Sequence, residues 1–209
     1  MDIKEAREFF YNMIEDLDEN FPEFFGTKIF CDTECCNWLY DYYRISVESG
    51  CDKIAFVPVG DNLNYVLKVN INGYDSCYDE LKIYELAKQE GVDFCLAAAY
   101  EGFVYNGRHF ILMECVIPDE DEVYNLSKGT EEYDEEDDDY YDRDSCDCCW
   151  DAFCEVYGKY MEPVFNFFNK YEVTDLHTAN CGWNDNGELV FFDYSGYKVE
   201  RPYFHAEAV

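Results

Sequence analysis

The chain has few basic residues. Its 209 residues include 15 Lys and Arg against 47 Asp and Glu, which gives a formal net charge of −32. Nucleic-acid binding depends on Lys and Arg at the phosphates, so we expect no nucleic-acid partner. An anionic membrane surface is disfavoured for the same reason. No run approaches the roughly 20 apolar residues that cross a bilayer, so a transmembrane role is also not expected.

A secretion signal is also missing from the amino-terminal segment MDIKEAREFF, because acidic residues interrupt any apolar run there. We therefore expect a cytoplasmic protein in which the 12 cysteines are reduced. Most cysteines stand singly among apolar residues, as Cys77 and Cys95 do, a setting typical of buried thiols. With 17 Phe and 20 Tyr, the chain can form a packed core.

Hydrophobic periodicity divides the first 117 residues into two parts. Residues 1–43 contain two stretches with apolar residues every three or four positions, which predicts an amino-terminal helical cap. Residues 44–117 alternate short β-type runs with turn residues, including a turn at 60–62 and another at Asn106-Gly107. This part predicts three strands, a helix over residues 78–91 and two more strands, which together form a five-stranded antiparallel sheet.

The remaining sequence changes character twice. Residues 118–149 are dense in Asp and Glu and poor in aliphatic residues, which predicts a mobile acidic insertion that is dispensable for the fold and could engage a basic protein partner. Residues 150–209 begin with helical spacing up to residue 171, where Pro163 is expected to kink the helix or start a new turn. A hairpin then follows in CGWNDNGELVFFDY, with its turn at Asn186-Gly187.

Polar residues with the chemistry of phosphoryl transfer surround this hairpin. Phosphoryl transfer uses an amine at the phosphates, a carboxylate that orients the attacking group, and hard oxygen ligands for Mg²⁺. In VTDLHTANCGW, Asp175 precedes Asn180 by five residues, which is the spacing of the kinase catalytic loop H-R-D-x-x-x-x-N. Asp193 follows thirteen residues after Asn180, in Phe192-Asp193-Tyr194, where kinases have D-F-G.

These motifs resemble the protein kinase-like superfamily over residues 50–197. YVLKV resembles the strand that carries the kinase lysine, YDELKIYELA the helix that carries its glutamate partner, and FILMECV the strand that enters the hinge. The D-L-H-x-x-N form is similar to that of aminoglycoside phosphotransferases and choline kinases. More closely, the chain resembles small kinase-like proteins of gut bacteria and their phages. The resemblance implies an α+β fold whose carboxy-terminal lobe is reduced to one main helix and the catalytic-loop hairpin.

The resemblance also implies a nucleotide site for ATP in the amino-terminal lobe. Lys68 would contact the α- and β-phosphates, and Glu80 would hold Lys68, with Glu85 as an alternative partner. The phosphate-covering loop would be SVESGCDK, in which Gly50 is the only glycine. Glu114 and Val116 would border the adenine through their backbone groups.

The residues of the catalytic loop would complete the site. By the same resemblance Asp175 would be the catalytic base, and Asn180 and Asp193 would ligate Mg²⁺. Val173 stands where the kinase loop has its histidine, and the phosphate-covering loop lacks G-x-G-x-x-G. Only sixteen residues follow Asp193, so we expect a small substrate, or one held by the helical cap, the acidic insertion or a partner.

Three functions are consistent with these features. The first is a minimal ATP- and Mg²⁺-dependent phosphotransferase. The second is a pseudokinase without catalysis, which the missing glycine motif and the short carboxy-terminal lobe would favour. The third is an acidic interaction protein in which the kinase-like core is only a scaffold.

Overall fold

A computed structural model describes residues 1–25, 32–50, 53–60, 63–71, 76–127, 146–174 and 176–196. The fold is α+β. The α-helices are α1 (Ile3–Asn20), α2 (Thr33–Tyr43), α3 (Ser76–Glu90), α4 (Glu120–Ser127), α5 (Cys146–Tyr157) and α6 (Met161–Tyr171), and short 3-10 helices lie at Asp93–Cys95, Gly158–Tyr160 and Thr178–Asn180. None of the helices in the described ranges combines the length and apolar character that a membrane span requires.

Within the described residues, ten strands form three sheets. The strands are β1 (Ile45–Ser49), β2 (Lys53–Pro58), β3 (Tyr65–Asn70), β4 (Ala99–Tyr105), β5 (Arg108–Glu114), β6 (Ile117–Pro118), β7 (Val173–Thr174), β8 (Cys181–Trp183), β9 (Leu189–Phe191) and β10 (Ser195–Gly196). The main sheet is antiparallel with the order β1-β2-β3-β5-β4, which confirms the predicted five-stranded antiparallel sheet. The small sheets are β6-β8-β9 and β10-β7.

Turn residues mark the points where strands of the main sheet and the helix α3 end. Asn106 and Gly107 both have positive φ, 47° and 70°, as a two-residue hairpin turn between β4 and β5 requires. Gly91 follows α3 with φ 74°, the left-handed conformation in which many helices end. The sequence therefore predicted α3 to within two residues at its start and one at its end.

The helices α1 and α2 cover one face of the main sheet. α1 begins with a capping box, in which Asp2 accepts from the backbone of Lys4 and Glu5 while the Glu5 side chain accepts from Asp2 N–H. One core joins the buried sides of both helices to alternate residues of the strands. Its members include Phe10, Met13, Ile14, Leu17, Leu39, Ile54, Phe56, Leu67, Phe110 and Leu112.

The opposite face of the sheet packs on α3 and on the carboxy-terminal elements. Side chains alternate between the faces of a strand, so Ile111 and Met113 of β5 lie in this second core while Phe110 and Leu112 lie in the first. α5, α6 and the β8-β9 hairpin contribute Phe153, Phe167, Phe168 and Phe191 to the second core. The sheet therefore separates two cores, and polar residues on its second face point toward α3.

The predicted helix of residues 150–171 is two helices. The 3-10 helix Gly158–Tyr160 separates α5 from α6, and Gly158 has φ 55°. Pro163 lies in the first turn of α6, where a proline removes no intrahelical hydrogen bond. The predicted hairpin turn is found between β8 and β9, where Gly187 has φ 73°.

The sequence prediction of a loop from residue 118 is wrong over its first ten residues. β6 and α4 occupy residues 117–127. The side chain of Asp119 accepts from Glu122 N–H at 3.0 Å, the acidic first turn suits the positive end of the helix dipole, and Val123 is fully buried. α5 also begins earlier than predicted, at Cys146. Residues 128–145 of the predicted insertion lie outside the described residues.

We predict that Val123→Ala destabilises the protein by about 2 kcal/mol, because it removes two buried methyl groups from the second core. Val104 of β4 provides a matched control, since 63% of its surface is exposed. Thermal melting of both variants would test the difference. Equal melting temperatures for Val123→Ala and Val104→Ala would contradict the placement of α4 in the core.

Candidate functional site

Lys68 lies at the centre of the main sheet. In β3 it pairs with Ala55 of β2 and with Ile111 of β5. Residues directly opposite each other in neighbouring strands share a face, and Ile111 belongs to the core on the α3 side. The buried side chain of Lys68 therefore points toward α3.

α3 brings Glu80 to this lysine. The side chain of Asn70, at the end of β3, accepts from Cys77 N–H in the first turn of α3 at 3.0 Å, which ties the start of the helix to the strand. Glu80 follows three residues later and is fully buried. Its Oε1 lies 3.0 Å from Lys68 Nζ.

Glu80, and not Glu85, is the partner of Lys68. Glu85 forms an exposed pair with Lys82 of the same helix, with 2.9 Å between Nζ and Oε2. Lys68 also donates to the carbonyl of Phe192 at 2.7 Å. The lysine therefore joins α3 to the segment that follows β9.

Asp193 is held in place by its chain neighbours. β9 ends at Phe191, whose carbonyl accepts from Ala97 N–H at 2.8 Å. On the other side, the fully buried Tyr194 donates its hydroxyl to Ala97 O at 2.9 Å. These two bonds to one residue fix the backbone around Asp193 and place its Oδ1 3.8 Å from Lys68 Nζ.

A second lysine, Lys53 of β2, completes the cluster. Its Nζ lies 2.9 Å from Glu80 Oε1 and also contacts Asp193 Oδ1. Sequence reasoning missed this residue. Strand alternation could have found it, because in KIAFVP Lys53 shares a face with Ala55, the cross-strand partner of Lys68, whereas Ile54 and Phe56 face the first core.

Burial and neighbouring charges shift the pKa values of three side chains of the cluster in opposing ways. Burial raises the pKa of Glu80 to about 7, although the ammonium groups of Lys68 and Lys53 act in the opposite direction. For Asp193 the effect of burial is outweighed by the same two ammonium groups, which hold its pKa well below the usual range. Glu80 and Asp193 likewise outweigh burial at Lys53 and raise its pKa. Asp193 is therefore anionic at neutral pH, whereas Glu80 is close to its titration point.

Asn180 lies beside this cluster. Its carbonyl accepts from Phe192 N–H at 3.0 Å, which joins the 3-10 helix Thr178–Asn180 to the residue before Asp193. The side-chain nitrogen of Asn180 is 3.0 Å from His177 Nε2. The structure thus brings together the Asn180 and Asp193 regions that the sequence predicted as metal ligands.

Asp175 lies outside the described residues. Its neighbours in the chain form β7, which ends at Thr174 and pairs with β10, two residues beyond Asp193. The pairing connects Thr174 with Ser195 and Val173 with Gly196. β7, which ends one residue before Asp175, is therefore paired with β10, which begins two residues after Asp193.

Glu114 and Val116 lie where the main sheet passes into β6. The Glu114 backbone N–H donates to Ala98 O at 2.8 Å, and its side chain accepts from Ala98 N–H at 3.1 Å. Glu114 was predicted to border the adenine through its backbone groups, and the structure shows that its backbone N–H is already bonded to Ala98 O. Val116 packs against Gly182 of β8, where an added Cβ would lie 2.9 Å from Val116 Cγ1.

Gly50 belongs to the turn between β1 and β2. Its N–H donates to Lys53 O at 3.0 Å, so the glycine sets the start of the strand that carries Lys53. It is separated from the cluster by residues 51 and 52, which lie outside the described residues. Gly50 acts on the site through the position of Lys53.

The donors near Asp193 match the chemistry of a hard divalent cation. Mg²⁺ prefers carboxylate and amide oxygens, which Asp193 and Asn180 carry. The ionised state of Asp193 at neutral pH also suits a metal ligand. Over the described ranges, no three His, Cys, Asp or Glu side chains form a group that could hold a metal ion.

Comparison with known proteins adds no relative. No protein-family model matches the chain, and no curated protein matches it. The interpretation of the site therefore depends on the geometry of the cluster formed by Lys53, Lys68, Glu80 and Asp193.

We predict that stability falls between pH 5 and pH 7 through the titration of Glu80. Folding raises the pKa of this carboxyl from 4.5 to about 7, so the folded state binds the proton more tightly. The group therefore stabilises the protein fully below pH 4.5, and this contribution is lost as the pH rises through about 7, by up to about 1 kcal/mol per pH unit. Glu80→Gln should remove this part of the pH dependence.

Melting temperatures of the wild type, Glu80→Gln and Glu85→Gln between pH 5 and pH 8 would measure the effect. Glu85 is the matched control, because it is exposed on the same helix and pairs only with Lys82 in the described contacts. Parallel curves for the wild type and Glu80→Gln would show that Glu80 stays ionised throughout.

Proposed function

We propose that the protein is a minimal nucleotide-dependent phosphotransferase with a protein kinase-like fold. One observation carries this proposal. A lysine in the central strand of an antiparallel sheet pairs with a buried glutamate of the adjoining helix, and both lie beside an aspartate that follows a β-hairpin. The same residues were selected from the order of sequence motifs alone, so two independent lines of reasoning support the proposal.

In this function Lys68 binds the phosphates of ATP. An ammonium group has three N–H donors. Glu80 Oε1 and Phe192 O each accept one of them, at 3.0 and 2.7 Å. These two bonds fix the direction of the third donor, which is left for a phosphate oxygen. Glu80 is therefore a positioning residue that acts through Lys68.

Asn180 and Asp193 would hold Mg²⁺, which when bound neutralises negative charge on phosphate oxygens. Asp193 contributes an anionic carboxylate that the surrounding lysines keep ionised. Asn180 contributes an amide oxygen, and the hydrogen bond between its backbone and Phe192 keeps it near Asp193. The role of these two residues is to place hard oxygen donors beside the phosphate-binding lysine.

Asp175 would act as the base that orients the acceptor hydroxyl. Its assignment depends on the sequence motif and on the pairing of β7 with β10, which holds the preceding residue beside the segment of Asp193. The adenine would lie at Glu114 and Val116. There the Glu114 N–H is occupied by Ala98, so its carbonyl is the group that remains for the base.

A second candidate function is nucleotide binding without transfer. The contact between Lys53 and Asp193 favours it, because an ammonium group on the carboxylate competes with a cation for the same oxygen. Such a pseudokinase would use the same cleft to bind nucleotide and would act through protein contacts.

We predict that ATP with Mg²⁺ raises the melting temperature of the wild type, because a ligand that binds only the folded state stabilises it by mass action. At a concentration 100 times the Kd the gain is about 2.7 kcal/mol. Asp193→Asn should lose most of the ligand-induced shift, since it removes an anionic metal ligand. The exposed Asp151→Asn on α5 is the matched control. An unchanged wild-type melting temperature at millimolar ATP would refute nucleotide binding.

We predict that Asp175→Asn lowers phosphoryl transfer about 10²- to 10⁴-fold and leaves ATP binding intact, because a base acts on the acceptor and not on the nucleotide. Release of ADP and self-labelling from γ-labelled ATP would measure transfer, with Lys68→Ala as the variant that loses both activities. Equal turnover of the wild type and Asp175→Asn would refute the role of Asp175. Nucleotide binding without any turnover in the wild type would favour the pseudokinase.

A further inference from the structure

Lys53 is not required to neutralise Glu80. Lys68 already pairs with Glu80 Oε1 at 3.0 Å, and Lys53 approaches the same oxygen at 2.9 Å. The other oxygen, Oε2, is buried and accepts no hydrogen bond from the described residues. Two ammonium groups on one oxygen exceed what a single buried carboxylate needs, so the second lysine has another role.

The contact that distinguishes Lys53 is the one with Asp193. When Glu80 is ionised, Lys53 and Lys68 together balance the charges of Glu80 and Asp193, with two positive and two negative groups in contact. When Asp193 binds a cation, its negative charge no longer offsets the charge of Lys53. The cluster then carries a net positive charge. A polyphosphate is the ligand whose charge restores the balance.

Lys53 also lies at the end of the segment that was predicted as the phosphate-covering loop. Backbone N–H groups of a glycine-rich turn commonly cradle phosphates. The segment SVESGCDK that connects β1 and β2 has one glycine, and the N–H of that glycine is bonded to Lys53 O at 3.0 Å. A lysine side chain from the first residue of β2 can supply donors beside this turn.

Accessibility distinguishes the two lysines. The side chain of Lys53 retains 15% of its surface exposed and that of Asp193 31%, whereas Lys68 retains 8% and Glu80 none. Lys53 and Asp193 thus form the solvent side of the cluster. Of the two lysines, Lys53 is the more accessible to a ligand that enters from solvent.

We propose that Lys53 is a second phosphate-binding residue, which pairs with Asp193 in the ligand-free protein and binds the β- or γ-phosphate of the nucleotide in the complex. This inference rests on the proposed function, since it takes the cleft to be a nucleotide site. It assigns to one side chain the role that a glycine-rich loop has elsewhere. No bond is made or broken in this step, because an ammonium group exchanges one anionic partner for another.

The test compares ATP with adenosine, which carries the same base and sugar and no phosphate. Isothermal titration calorimetry with MgCl₂ would give the Kd of each ligand for the wild type, Lys53→Met and Lys53→Arg. Lys82→Met is the matched control, because Lys82 lies on α3 in an exposed pair. We expect Lys53→Met to weaken ATP binding by about tenfold or more, as loss of a charge-assisted hydrogen bond does. Adenosine binding should not change, and Lys53→Arg should retain most of the ATP affinity.

The outcomes separate this inference from the proposed function. Equal ATP affinity of the wild type and Lys53→Met would overturn the proposed role of Lys53 and would not bear on the nucleotide site itself. Equal losses for ATP and adenosine would also overturn it, since they would show that Lys53 only maintains the shape of the cleft. Failure of the wild type to bind either ligand would refute the nucleotide site itself. If Lys53→Met does not fold, Lys53→Gln replaces it, because its amide can still donate to Glu80 and Asp193.

Discussion

The contacts around the buried carboxylate of Glu80 hold several elements of the structure together. Glu80 is fully enclosed between α3 and the main sheet, where an isolated charge would be very costly. It is tolerated because Lys68 pairs with Oε1, which Lys53 also approaches. The same contacts join β2, β3 and α3 to the segment after β9, so removal of one partner would leave buried charge in the others.

The sheet makes this arrangement possible by separating two kinds of environment. On one face, α1 and α2 cover an apolar core that contains Phe56 and Leu67. On the other face, the side chains that alternate with those residues include Lys68, whose ammonium group needs an anionic partner. The helical cap thus stabilises the sheet from its more apolar side, and the opposite side carries Lys53 and Lys68.

Periodicity and turn chemistry were sufficient to predict the main sheet, α3 and the β8-β9 hairpin. The asparagine-glycine turn at 106–107 and Gly91 gave the positions of turn and helix end directly. α4 was not predicted because its acidic composition is typical of a loop. Its buried residue, Val123, depends on contacts with α5 that are distant in sequence. Charge density predicts a solvated surface but does not exclude a short helix with one apolar side.

The candidate site was predicted in part for a similar reason. Lys68 and Asp193 follow motifs of fixed order, and Glu80 was distinguished from Glu85 only by the packing of α3 on β3. Lys53 ends the segment SVESGCDK, but nothing in that segment distinguishes it as a site residue. Its role comes from strand register, which places it on the same face as Lys68, and register is set by pairing between strands and not by local sequence.

Gly182 allows the backbones of β6 and β8 to lie in direct contact. An added Cβ at this position would lie 2.2 Å from Ile117 O, so β6 and β8 are in backbone contact, and Ile117 pairs with Trp183. At the other end, Glu114 is bonded to Ala98. The chain that leads from the main sheet to the hairpin is therefore held on both sides of Val116, since the Cys115 N–H also donates to Asn64 O at 3.0 Å.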